Sequence, residues 1–114
     1  MSKREKIEYT KGGGNVYQDL GFVDSEERQA KAKLALFINE LIDGRALTQA
    51  EAAGILGINQ PKVSALTNGR LAGFSIERLM HFLNLLDQDI EISIRPKEPH
   101  GILHGSLTVA FGGI

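Results

Sequence analysis

Gln60, Ser64 and Asn68 recur at a spacing of four, with Lys62 between the first two and Arg70 just past the last. At helical pitch, residues four apart share a face, so the three form one polar row. Amides, a hydroxyl and a cation in one row suit the edges of base pairs. Gln and Asn pair bidentately with adenine in the major groove, Ser bonds either way, and Lys fits guanine or phosphate. Ala65, beside the row, is small enough to meet a thymine methyl. These types offer nothing for covalent catalysis. The chain has no Cys and three scattered histidines, His81, His100 and His104. No nucleophile–base pair or metal cluster can be assembled from them, which excludes an enzyme reading and requires no cofactor.

The row must be held by short rigid elements, and the stretch TQAEAAGILGINQPKVSALTNGR, Thr48 to Arg70, supplies them. Thr48 and Glu51 make a capping box for a first helix. Ala52, Ala53, Ile55 and Leu56 follow, with Ala53 small enough for a close helix crossing. Gly57 can take the positive φ that stops this helix. Ile58 enters the core and Asn59 caps a second helix. Pro61 sits in that helix's first turn, where a missing N–H costs nothing. Val63 and Leu66 face inward, and Gly69 ends the helix. Two short helices, a glycine turn and a polar outer face make a helix-turn-helix.

On these residues the stretch resembles the motif of the Cro/C1-type (XRE) repressor family. Gln49 matches that family's leading glutamine, Ala53 its small crossing residue, Gly57 its turn glycine, and Ile58, Val63 and Leu66 its apolar anchors. With its flanks, Val16 to Lys97 is similar to the short HigA-type antitoxins of the family, about three quarters of the chain. The resemblance implies an all-α, lambda repressor-like DNA-binding domain of about five helices, closed by a C-terminal β-strand that pairs across a dimer. It places Gln49 on the DNA backbone, where a helix N-terminus also favours phosphate. Gln60, Lys62, Ser64 and Ala65 are then the base-reading residues, and Asn68 and Arg70 backbone anchors. Asn59 is chiefly a cap. Pro61 departs from the polar residue many such helices carry there. The implied partners are a palindromic double-stranded operator, a second copy and a cognate mRNA-cleaving toxin. A stand-alone repressor without a toxin is the other reading, and the neighbouring reading frame decides between them.

The flanks are read in the same terms. Residues 1–14 are charged and then Gly-rich, without apolar periodicity, which predicts a flexible segment. KGGGN lacks the Gly-Lys-Ser/Thr ending of a phosphate loop. Asn15 to Phe22 predicts a short helix that packs on the body. Asp24, with Glu27, is expected to cap a long helix whose stripe is Ala30, Leu34, Phe37, Ile38, Leu41 and Ile42, ending at Gly44. Lys31 and Lys33 fall on its solvated side. Ser75 caps a further helix with Ile76, Leu79, Met80, Phe82, Leu83, Leu85 and Leu86, wide enough for burial on two sides. A turn follows at Asp87 to Asp89. Ile90, Ile92 and Ile94 then alternate with Glu91, Ser93 and Arg95, the pattern of a half-buried strand. A lone strand leaves its backbone groups unpaired, so its own copy across a two-fold axis is the expected partner. Residues 98–114 form a Gly-rich tail in which Leu107, Val109 and Phe111 suggest a second strand, either a hairpin onto 90–95 or an intersubunit pairing. His100 and His104 lie four apart, but no carboxylate or Cys stands beside them, so no metal site is expected.

Composition sets the outer bounds. A chain of 114 residues fits one domain, here 15–97, with a modest core that dimerisation would support. No Cys, no apolar run of membrane length and no apolar leader suit a cytoplasmic protein. Net charge is −1, but its distribution matters more. Lys62, Arg70 and Arg78 face one acid, Glu77, between Gly57 and Arg78. The acids Asp24, Glu26, Glu27, Glu40 and Asp43 concentrate in the first long helix.

Overall fold

The computed structural model describes residues 22–99 and 104–112, with the backbone alone at 22–24. Four α-helices and no strand are found among them: α1 (Phe22–Gly44), α2 (Gln49–Leu56), α3 (Gln60–Thr67) and α4 (Ile76–Leu85). The flexible segment and the short helix expected before Phe22 lie outside the described residues. The expected cap at Asp24 does not hold, because α1 already runs at Phe22 and Asp24 falls inside it.

α1 is the scaffold. Its buried side chains are Ala30, Leu34, Ala35, Ile38 and Ile42, the expected stripe with Ala35 added. Phe37 and Leu41 flank it at the edge of the core. α1 packs most closely on α4, which buries Leu79, Phe82 and Leu83, while α2 packs mainly on α3. Ala52 and Leu56 from α2, Val63 and Leu66 from α3, and Phe74 and Leu86 complete one cluster. The fully buried small residue in α2 is Ala52, and Ala53 is only half-buried.

Each helix is closed by a residue in the left-handed region: Ala46 after α1, Gly57 after α2, Gly69 after α3 and Asp87 after α4. The glycines adopt it freely. Ala46, at φ 54°, does not, yet it is locked in a Schellman turn. There the Ala46 N–H donates to the Asp43 carbonyl at 3.0 Å and the Leu47 N–H to Ile42 at 3.1 Å. A non-glycine residue in this region costs about 1–2 kcal/mol, part of which glycine returns through greater freedom in the unfolded chain. Ala46→Gly is therefore expected to stabilise the protein by about 0.5–1 kcal/mol. A raised urea midpoint at unchanged slope is the check.

The C-terminal part departs from expectation. Residues 88–98 carry no regular secondary structure, with Ile90 and Ile92 lining a groove against Met80 and His81 of α4, so the strand read from Ile90, Ile92 and Ile94 is not formed within one chain. Leu107, Val109 and Phe111 make no hairpin on it. That stretch lies along α1, where the Phe111 and Phe37 ring centroids are 4.5 Å apart and Lys33 Nζ donates to the Val109 carbonyl at 3.4 Å. An aromatic contact on the α1 surface is worth more to this tail than a two-stranded ribbon, which is marginal in water.

Candidate nucleic-acid interface

The helix pair is fixed by its caps. Thr48 Oγ1 accepts the Glu51 N–H at 3.1 Å, and the Glu51 carboxylate accepts the Thr48 N–H at 2.9 Å. Gly57, at φ 71°, ends α2, and both its N–H and that of Ile58 reach the Ala53 carbonyl. Asn59 Oδ1 then accepts the Lys62 N–H at 2.9 Å and starts α3, with Pro61 in its first turn. Asn59 thus acts as a cap, with its side-chain oxygen committed to the backbone.

Val63 and Leu66 are fully buried and fix which side of α3 points outward. At 100° per residue, the outward face falls on Pro61, Ser64, Ala65 and Asn68, with Gln60 and Lys62 to its sides. Gln60, the first helical residue, is exposed, and so is Gln49, the first residue of α2. Ser64 and Ala65 are half-buried, and Ala65 also touches the core. Asn68 Nδ2 donates to the Ser64 carbonyl at 2.9 Å and reaches Ser64 Oγ at 3.3 Å, which joins the two as a unit at the end of the helix. Thr67 Oγ1 donates to the same carbonyl at 3.1 Å. Arg70 is exposed beyond the Gly69 turn, and its backbone N–H closes that turn on the Ala65 carbonyl at 2.9 Å.

Two cations sit over neighbouring aromatic rings, Phe74 and Phe82, whose centroids are 5.9 Å apart. Lys62 Nζ lies 5.8 Å from the Phe74 ring centre, and the Arg78 guanidinium lies 5.6 Å from that of Phe82. Each ring restrains a long side chain without neutralising it, leaving the charge available to a polyanion. Arg78 sits in the first turn of α4. Phe82 lies one helical turn further along α4, a spacing of four that seats the cation on the ring, although the charge pattern alone gives Arg78 no place in the interface. Arg45 is used otherwise: its guanidinium donates to the Leu86 carbonyl at 2.6 Å and to Asp87 at 3.3 Å, tying the linker before α2 to the end of α4.

Among the described residues no group of three or more His, Cys, Asp or Glu could hold a metal ion. His100 lies outside those residues. No helix among them is long and apolar enough to cross a membrane.

Comparison with known proteins agrees with this geometry. A family model described as a helix-turn-helix domain matches residues 16–95. A solved structure described as an XRE family transcriptional regulator is 55% identical, with 78% of this chain and 99% of that one covered and a TM-score of 0.71. No curated protein matches.

Proposed function

The chain belongs to the XRE-type helix-turn-helix family, and from that premise we propose a sequence-specific repressor that acts as a homodimer in the cytoplasm, silences its own operon and serves as the antitoxin of an mRNA-cleaving toxin. The observation that carries the DNA-reading part is the polar outward surface of α3, held from beneath by Val63 and Leu66 and pinned at its start by Asn59. In this reading α3 enters the major groove with its N-terminal end toward the bases. Gln60, Lys62, Ser64 and Ala65 meet base edges, while Gln49, Asn68 and Arg70 hold the phosphate backbone.

The dimer reading is supported by the segment after α4. Ile90, Ile92 and Ile94 are 37%, 71% and 92% exposed, a rising apolar row that a second copy would cover. An open groove lined by Met80, His81, Ile90 and Ile92 lies beside it. Pairing of these segments across a two-fold axis would set two α3 helices on half-sites about 34 Å apart, or a multiple of that. The antitoxin role rests on the resemblance of Val16 to Lys97 to HigA-type proteins.

The test is co-purification of the chain with the product of its neighbouring reading frame, followed by a shift assay on the upstream DNA. A stable complex with a small basic partner supports the antitoxin reading, whereas no partner with retained operator binding supports a stand-alone repressor. Within the DNA-reading part, Gln60→Ala is expected to cost about 1–3 kcal/mol at one base pair and leave other positions unchanged. Arg70→Ala is expected to weaken binding to all sequences and reduce the salt slope by about one. A base-substitution series measured at two salt concentrations separates the two, and an unchanged base preference in Gln60→Ala refutes the groove assignment.

A further inference from the structure

The reading helix is held on α1 through a shared apolar cluster that includes Ile38, Ile42, Val63 and Leu66. A polar contact crosses the same junction. Asn39, on α1, donates from Nδ2 to the Leu66 carbonyl in the last turn of α3 at 3.2 Å. That carbonyl lies at the frayed end of α3, where its other backbone partners are the Gly69 N–H, at a long 3.3 Å, and the Asn68 N–H that it shares with the Ala65 and Ser64 carbonyls. Asn39 Oδ1, by contrast, is buried without a hydrogen-bond partner among the described residues. Turning the amide over would set two acceptors against each other, so the orientation is fixed by the contact itself.

An orphaned buried acceptor costs about as much as one such bond contributes, so this amide adds little net stability. What it adds is direction. Apolar packing tolerates rotation and sliding of a helix, whereas a hydrogen bond favours one distance and angle. We propose that Asn39 is a positioning residue for DNA recognition: it fixes the rotation of α3 on α1, and so the angle at which Gln60 and Ser64 meet the groove. This rests on α3 being the reading helix.

The experiment compares the full chain with Asn39→Leu, which fills similar volume and removes both the donor and the orphaned acceptor. Affinities are measured on the upstream operator DNA and on random duplex, with melting temperature alongside. The expected result is a melting temperature and random-duplex affinity close to the parent, with preference for the operator reduced about tenfold, the worth of one hydrogen bond. In the N39L background the penalty of Gln60→Ala at its base pair should also shrink, because the glutamine no longer meets that edge squarely. An unchanged operator preference overturns the proposal. So does a loss that falls equally on random duplex and tracks a lowered melting temperature, since that marks a purely structural role. If the parent chain itself shows no operator preference, the reading of α3 fails first, and the parent measurement separates that outcome from failure of Asn39.

Discussion

Leu66→Ala is expected to cost about 2–5 kcal/mol of folding stability. Leu66 is fully buried, in a cluster that also holds Ile38, Ala52, Leu56, Val63 and Leu79. Removing its isobutyl group forfeits the transfer free energy and leaves a cavity. Helices tied together by caps and a hydrogen bond cannot collapse far into that space, which places the cost well above transfer alone. Domains of this size have about 5–15 kcal/mol in total, so the loss is a large fraction. Urea denaturation should show a lower midpoint at unchanged slope. Gln60→Ala is the companion measurement: exposed and outside the core, it should leave the midpoint alone while altering base preference. If Leu66→Ala keeps the parent midpoint, α3 is not held from beneath by this residue and the outward face has been assigned to the wrong side.

The motif was legible in the sequence because its signals are local. Thr48 with Glu51, Asn59, Pro61, Gly57 and Gly69 each specify a backbone conformation within three or four residues, and each is found in the expected role. Ser75 likewise caps α4 by accepting the Arg78 N–H at 3.0 Å. Val63 and Leu66 followed from helical period. What the sequence concealed either lacks a marker residue or depends on distant partners. The left-handed turns at Ala46 and Asp87 carry no glycine to announce them and are held by carbonyls three to five residues back. Asp87 is further secured by Arg45, 42 positions away.

The C-terminal segments show the limit of pattern reading more clearly. Alternation at Ile90, Ile92 and Ile94 reports which side chains want cover, but a strand also needs a ladder partner, which is not encoded locally. Leu107, Val109 and Phe111 alternate just as well, yet Phe111 spends its ring on Phe37. The bond from Asn39 to Leu66 spans 27 positions and has no periodic signature at all. For the candidate site, position along α3 and the four-residue spacings of Ser64 with Asn68 and of Arg78 with Phe82 were readable, while the aromatic seat of Lys62 on Phe74, beyond its own helix, required the packed fold.

Ile92→Asp is expected to convert a dimer into monomers and lower operator affinity by about 10²–10⁴. Within one chain Ile92 is 71% exposed, so the aspartate remains hydrated and the monomer keeps its fold, with a melting temperature lowered only by the loss of association and no longer dependent on protein concentration. In a paired ribbon the same position faces its counterpart or the groove beside Met80, where a carboxylate would lose its water without gaining a partner. Covering three isoleucines from each copy is worth about 1.5–3 kcal/mol for each that is fully buried, a total that one buried charge in each copy can cancel. The effect on DNA follows from valency. Once one α3 is seated, the second half-site is an intramolecular target, and a monomer forfeits that effective concentration without losing any contact of its own. Sedimentation velocity and a shift assay on full and half operators test both parts. The variant should sediment as a monomer and bind the two DNAs with similar, weak affinity. A dimer of parental stability that still prefers the full operator would place the two-fold axis away from residues 90–94.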